Sequence, residues 1–407
     1  MEPLTVAADP TPLERLPLVR LARGRHGRVA AGHPWVFSNE IEMDAATKAL
    51  PGGTIVRVVR STGGVEGTAY FNPRTLIAAR FLSRNVDDTV DAAFVTARVQ
   101  RAAALRDRLF ARPFYRLIHA EADGLPGLIV DRYGAVLVVQ TNTAGMDRLQ
   151  PSILSALIDV FPDSAIALRN DAPSREHEGL GEEVRWAHGE AQLPLRLEEG
   201  GAVFFADVLG GQKTGWFYDH RDNRSYVASL SCGASVLDLY SHTGGFAVQC
   251  ALGGATSVVA VDRAEPALTL AELAATENGV SAQCTFQRGE VFEELERLAR
   301  ERRKFDVVIA DPPAFVKSKK DLEPGLRGYR KLTRLSATAV TPRGLLLIAS
   351  CSHNVSMDAL IEQVGRGLRD AGREGRIIRA AGAGADHPIH PMLPETAYLK
   401  ALTIALD

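Results

Sequence analysis

A chain of 407 residues is longer than a single hydrophobic core usually serves, so two or three domains are expected. Hydrophobic residues at 46% and charged residues at 24% fit an ordinary globular protein. No uninterrupted apolar run reaches the ~18 residues of a membrane-spanning helix, and the N-terminus lacks the order of a signal peptide, so no membrane association and a cytoplasmic location are expected. The formal net charge of −2 gives no global attraction to nucleic acid, but basic residues are clustered. Five arginines face one acid between Leu13 and Arg28; Arg98, Arg101, Arg106, Arg108, Arg112 and Arg116 are interrupted only by Asp107; seven basic residues lie between Lys317 and Arg334. Such runs are often solvated helix faces, and the third stands out because it follows a motif with chemical content.

In chain order, residues 13–85 are rich in Gly and β-branched types, and TIVRVV (54–59) and TLIAARFL (75–82) predict short strands of a small β-rich domain. From about Asp91 to Phe110 the pattern is helical, and residues 127–141 predict two strands joined by a tight turn at Tyr133-Gly134. These fit a central α+β domain over 91–198. Over 203–407 apolar strands alternate with helical stretches, as in a parallel sheet covered by helices. The strands are placed at 235–240, 257–262, 284–287, 306–311 and 345–350, with helices at about 245–252, 265–278, 291–302 and 326–340.

In an open α/β sheet, ligands bind beyond the C-terminal ends of the strands where strand order reverses. The first strand here runs into Asp238-Leu239-Tyr240-Ser241-His242-Thr243-Gly244-Gly245-Phe246, a turn whose glycines let backbone approach a ligand ahead of a helix N-terminus. The next strand ends at Asp262, 24 residues after Asp238, where a carboxylate can accept from both hydroxyls of a ribose. The Gly-x-Gly-x-x-Gly pattern of dinucleotide sites is missing. S-adenosylmethionine needs no pyrophosphate cradle, and its sulfonium and amine suit the acidic Asp238.

The fourth strand ends in Asp311-Pro312-Pro313-Ala314-Phe315. Two prolines stiffen the backbone and remove two donors, which presents the carboxylate and neighbouring carbonyls to a planar base on which Phe315 could stack. The fifth ends in Ser350-Cys351-Ser352-His353-Asn354, so Cys351 is expected at the same sheet edge as Asp311. The four cysteines, Cys232, Cys250, Cys284 and Cys351, are too scattered for a zinc site or a disulfide framework, and no metal is expected. Cys351 alone is positioned as a nucleophile. A thiolate beside an acid suits methylation of a pyrimidine carbon: addition to carbon 6 makes carbon 5 nucleophilic, and Asp311 stabilises the charge that builds on the ring. Pro312 is a further contact at the donor; Pro313, Phe315, Lys317, Arg327 and Tyr329 are the candidates for substrate.

At these residues the chain resembles the ribosomal RNA large subunit methyltransferase I family of cytosine-5 methyltransferases. The resemblance covers nearly the whole chain. Arg23 to Ile41, with His33-Pro34-Trp35-Val36-Phe37-Ser38, resembles the start of that family's PUA domain, and Glu121 to Tyr133 its central domain. It implies a PUA-like domain, a central α+β domain and a Rossmann-like class I methyltransferase domain. Gln212 to Arg221 resembles the segment that lines the donor pocket, which implies donor-binding roles for Lys213, Thr214, Phe217 and Arg221 and supports Tyr240, Ser241, Gly244, Asp262, Asp311 and Cys351. There are departures. His242 stands where an aromatic is common, and Glu290 where an aspartate would contact adenine, the same charge on a longer arm. Ribosomal RNA is the implied partner; a homodimer is compatible with the sequence, which does not require one.

Two other functions fit part of the pattern. Asp-Pro-Pro-x-Phe also resembles motifs of enzymes that methylate a guanine nitrogen, a reaction that needs no cysteine. A non-catalytic RNA-binding assembly factor would fit the accessory domains, but not an intact Asp238, Gly244, Asp262 and Asp311.

Overall fold

The computed structural model describes residues 16–212 and 214–407; Lys213 and the start of the first basic run lie outside them. The chain divides into two compact units, the first made of residues through Leu193 with Val208–Gly215 and Ala385–Thr396, the second of Pro194–Asp207, Trp216–Gly384 and Ala397–Asp407.

The first unit contains two five-stranded sheets. One has the order Leu18–Arg20, Thr54–Val59, Val65–Phe71, Ile77–Ser83, Trp35–Phe37, around a core that includes Val19, Val36, Val56, Val58, Phe71 and Phe81. The strand Val65–Phe71 was not among those expected, because Gly67 and Thr68 interrupt its apolar pattern. Gly67 has φ +141 and a side chain there would meet the Ser83 carbonyl at 2.3 Å, so the local pairing requires glycine. The other sheet has the order Glu183–His188, Ala165–Asn170, Val136–Thr141, Leu128–Tyr133, Phe114–His119, packed with the helices Ala92–Leu109 and Gln150–Val160. The first helix starts where Asp91 accepts from the Phe94 N–H at 2.9 Å.

The second basic run lies largely on this helix and turns inward. Arg106 is fully buried, with a two-bond fork to Asp123 at 2.6 and 2.7 Å and a third bond to the Asp386 carbonyl. Arg116 forks onto Asp131 at 2.8 and 2.9 Å, and Arg98 and Arg101 donate to the carbonyls of Leu82 and Asp123. Four of the six arginines therefore stabilise the fold, which the spacing of charges alone does not reveal.

The second unit opens with a hairpin of β1 (Leu195–Glu199) and β2 (Ala202–Ala206), followed by helix α1 (Arg221–Ser229). Then come β3 (Ser235–Leu239), α2 (Gly245–Leu252), β4 (Ser257–Asp262), α3 (Glu265–Glu277), β5 (Cys284–Arg288), α4 (Val291–Glu301), β6 (Phe305–Ala310), α5 (Leu322–Thr338), β7 (Val340–Ser350), α6 (Met357–Asp370), β8 (Gly375–Ala381) and β9 (Lys400–Leu406). The sheet order is β5-β4-β3-β6-β7-β9-β8; the first five strands run parallel, and β9 lies antiparallel to both β7 and β8. The five parallel strands match the expected apolar runs, with β7 starting earlier than expected. The pair β8 and β9 was not placed from sequence; β8 is an edge strand with Ile377 and Ile378 exposed. The core includes Leu237, Leu239, Val308, Ala310, Leu346, Ile348 and Leu402. The chain moves outward from β3 to β5 and returns to the other side of β3 at β6, which puts the reversal of strand order between β3 and β6.

Candidate donor and nucleophile site

Register aligns the strand ends at that reversal. Leu239 is level with Val261 of β4 and Ala310 of β6, and Ala310 is level with Ile348 of β7. Asp238, Asp262, Asp311 and Cys351 therefore all come from the C-terminal edge of one sheet.

The turn after β3 is strained. Tyr240 (φ 63°) and His242 (φ 50°) lie in the left-handed region without being glycine, a cost that persists where surrounding structure imposes it and that clusters at ligand sites. The surroundings are visible: Ser241 N–H donates to the Val261 carbonyl, His242 N–H to Asp262 Oδ2 at 2.9 Å, and Gly244 N–H to the Ser241 carbonyl. Gly244 has φ +77 and a side chain there would lie 2.8 Å from Ala271 Cβ, so no larger residue fits. Asp262 also accepts from Ala264 N–H at 2.8 Å, which aims its carboxylate while leaving further lone pairs on both oxygens.

Asp238 is buried and accepts from Ala247 N–H at 3.1 Å, so it caps the first turn of α2. Burial pushes its carboxyl up to about 7, and the charges of Asp311 and Asp262 add to the rise. The sequence placed Asp238 directly beside the donor; in the fold it supports the turn from within. Gly245 and Phe246 begin α2, and both are buried. Against them packs a group the sequence did not single out: Arg224 forks onto Glu199 at 2.6 and 2.9 Å, and Trp216 donates to the same carboxylate at 3.1 Å. A side chain at Gly245 would meet both Arg224 and Trp216 at 3.0 Å.

Asp311 meets His220, with Oδ2 3.1 Å from Nε2. Asn223 Nδ2 lies 3.3 Å from His220 Nδ1, which fits an accepting Nδ1 and a donating Nε2–H. Burial alone would lower the pKa of His220; the Asp311 carboxylate outweighs it and the net shift is upward. His220 carries no signal in the local sequence, since its partner Asp311 is almost a hundred residues away, and Asn223 matters only through His220.

Of the remaining donor candidates, Phe217 packs edge-on against His242 with ring centres 4.9 Å apart, and Arg221 lies over the Tyr218 ring at 5.4 Å. Glu290 is exposed at the start of α4, next to Gly289, whose N–H donates to the Asp262 carbonyl. Pro312 is buried. Thr214 belongs to the first unit, where its hydroxyl donates to Asp131 at 2.6 Å and its carbonyl accepts from Tyr133, so its side chain is already engaged.

On the substrate side, Pro313 is exposed and Phe315 half-buried, packed on Phe292 and Tyr329. The loop that carries them rests on two glycines of α5: a side chain at Gly325 would meet Val316 Cγ2 at 2.3 Å and the Phe315 carbonyl at 2.9 Å, and at Gly328 the Phe315 ring at 3.0 Å. Lys317 and Arg327 are exposed. Tyr329 requires a correction. It is fully buried, its hydroxyl accepts from Ser350 at 2.8 Å and lies 3.0 Å from the Ser352 hydroxyl, so it braces the segment around Cys351 and cannot itself touch substrate. Cys351 is half-buried, whereas burial pushes the thiols of Cys250 and Cys284 up to about 12 and about 11, which leaves them inert.

The comparisons with known proteins fall on this frame. Residues 177–402 match the model of the S-adenosylmethionine-dependent methyltransferases and residues 19–84 that of a PUA-like domain. The chain is 36% identical over 387 residues to ribosomal RNA large subunit methyltransferase I of Cronobacter sakazakii, covering 93% of this chain and 97% of the relative. The same-named protein of Erwinia tasmaniensis is 37% identical over 385 residues, with 93% and 97% covered. The chain belongs to the ribosomal RNA large subunit methyltransferase I family. It is thus an S-adenosylmethionine-dependent methyltransferase with an N-terminal PUA-like domain. The fold of this family member is also that of SMU.776, a candidate methyltransferase solved in complex with SAH, at TM-score 0.82 and 19% identity over 96% of this chain and all of that one. No described helix is long and apolar enough to cross a membrane. The donor fits the residues present: a strained turn closed by Gly244, an aimed Asp262 and a carboxylate-rich edge suit a ribose and a cationic sulfonium.

Proposed function

We propose that the protein methylates carbon 5 of a cytosine in large-subunit ribosomal RNA, with Cys351 as nucleophile and Asp311 as the acid that manages charge on the base. The observation that carries this reading is the placement of Cys351 and Asp311 at the ends of neighbouring parallel strands, β7 and β6, beside the turn at β3. The names of the relatives, ribosomal RNA large subunit methyltransferase I, support the substrate. Asp262, Glu290, Tyr240, Ser241, Gly244, Phe217 and Arg221 would hold the donor, with Asp238, Gly245 and Phe246 shaping the turn. Bound S-adenosylmethionine supplies an electrophilic methyl.

The residues of the chain do the rest. The Cys351 thiolate adds to carbon 6, the C–S bond forms, and the ring's double-bond electrons move toward carbon 5, which takes the methyl. Asp311, bonded by His220 Nε2–H, would donate a proton toward the ring as negative charge builds there and recover it as the ring's double bond is restored. Loss of the carbon 5 proton to a base returns its electron pair to the ring, restores the carbon 5–carbon 6 double bond and expels Cys351 as thiolate. Pro313 and Phe315 would shape the base site, Lys317 and Arg327 would meet phosphates, and the PUA-like domain would add contacts to a structured RNA whose target base is extruded.

The test is transfer of labelled methyl from S-adenosylmethionine to unmodified ribosomal RNA, followed by nucleoside analysis, for the wild type and Cys351→Ala. Wild type is expected to form 5-methylcytosine and the variant none. Methylation by the variant, or a methylguanosine product, would overturn the thiolate mechanism in favour of nitrogen methylation.

A further inference from the structure

Resting on the assignment of Cys351 as nucleophile, we propose that the buried ammonium of Lys400 is the cation that holds Cys351 as a thiolate. The backbone brings them together. Antiparallel pairing of β9 with β7 sets Lys400 opposite Ser350, and Lys400 Nζ donates to the Ser352 carbonyl at 2.7 Å and the Tyr398 carbonyl at 2.6 Å. The first of these carbonyls belongs to the residue after Cys351, so the charge sits against the stretch of backbone that carries the thiol.

Lys400 is only 5% exposed, and no carboxylate pairs with it among the described residues. A buried ammonium that lacks a carboxylate is costly, and two carbonyl dipoles offset that cost only in part. Burial accordingly pushes Lys400 down to about 8, and negative charge on Cys351 acts in the opposite sense, to keep the ammonium protonated. The same charge opposes ionisation of Tyr329, which packs against this segment from α5. The neighbouring ionisable groups have contacts of their own. His353 stacks on Tyr398 with ring centres 5.2 Å apart, the Tyr398 hydroxyl donates to Asp219 at 2.5 Å, and Asp311 is matched by His220. Lys400 is set against the backbone next to Cys351, whose thiolate would supply the anion that the ammonium lacks.

An opposite charge within about 4–6 Å lowers an acid's pKa by about 1–3 units, and a thiol near a cation is nucleophilic at neutral pH. Lys400 is therefore a positioning residue that sets the state of the nucleophile without touching the base. Its absence from the expected site follows from its place in a strand that closes the sheet almost fifty residues after Cys351.

The test is the pH dependence of iodoacetamide alkylation at Cys351 in the full-length protein, resolved from the other cysteines by mass spectrometry. The wild-type midpoint is expected at least one unit below the ~8.5 of a free thiol. Lys400→Met should raise it by a unit or more, and Lys400→Arg should bring it back toward the wild type. A wild-type midpoint at or above the free-thiol value overturns the proposal without any variant, as does an unchanged midpoint in a Lys400→Met protein with a wild-type melting temperature. The assay reads the thiol and not the reaction. A low midpoint together with an active Cys351→Ala would sink the nucleophile and leave the ion pair, whereas a high midpoint with an inactive Cys351→Ala would sink only the role of Lys400.

Discussion

Replacing Asp238 by Asn tests the view that the donor turn is built on a carboxyl that resists ionisation. Asn keeps the size and an oxygen that can accept from Ala247 N–H, so the cap of α2 survives and only the titration is removed. In the folded chain burial holds Asp238 at about 7, against the 3.8 of an ordinary aspartate. Between these values the native state holds a proton that the unfolded chain has released, so the wild type loses stability as pH rises through this window, by about 1.4 kcal/mol per pH unit. The loss is complete above the folded value, which makes the variant about 4 kcal/mol more stable relative to wild type at pH 8 than at pH 3.5. Urea unfolding at several pH values would measure this, with the buried Trp216 as a fluorescence reporter in the same unit. Wild-type and Asp238→Asn stabilities that run parallel between pH 4.5 and 8 would refute the reasoning. Donor binding offers a second readout: affinity for the cationic S-adenosylmethionine should rise with pH across 6–8 in the wild type and stay flat in the variant.

Gly325→Ala should cut methyl transfer at least tenfold while donor affinity, measured by calorimetry, stays near wild type. The added methyl meets Val316 and the Phe315 carbonyl and must shift the loop after Asp311, an overpacking that costs about 1–3 kcal/mol. Arg106→Met should destabilise the first unit by about 3–5 kcal/mol, because Asp123 is left as an uncompensated buried charge; adding Asp123→Asn should recover part of it, read by thermal unfolding of the single and double variants.

The parallel strands of the second unit were legible because each is a short apolar run that ends in a turn signal, and the same pattern put Asp262, Asp311 and Cys351 at one edge. The strands β8 and β9 were not placed. β8 is an edge strand with four exposed residues at its start, so its sequence lacks the continuous apolar run of a buried strand. Charge was the least legible property. The run from Arg98 to Arg116 looks like a basic face until Asp123, Asp131 and Asp386 are seen beneath it, and Asp386 is 280 residues from Arg106 along the chain. The same limit hid His220, Arg224, Glu199 and Lys400, whose roles depend on partners that no local window contains.

Of these hidden residues, His220, Arg224 and Glu199 share one physical task. Carboxylates gathered at a sheet edge repel one another, and the charges of Asp311 and Asp262 add to the rise that burial imposes on Asp238. The fold limits the charge at two of these positions: His220 meets Asp311, and burial pushes Asp238 toward its neutral form. Asp262 is held by two backbone N–H groups, not by a cation, which leaves its charge for the ribose hydroxyls and sulfonium of the donor it is proposed to hold. Arg224 would be the natural neutraliser of this edge, but it is forked onto Glu199 behind the turn, and that engagement keeps the acidic edge acidic.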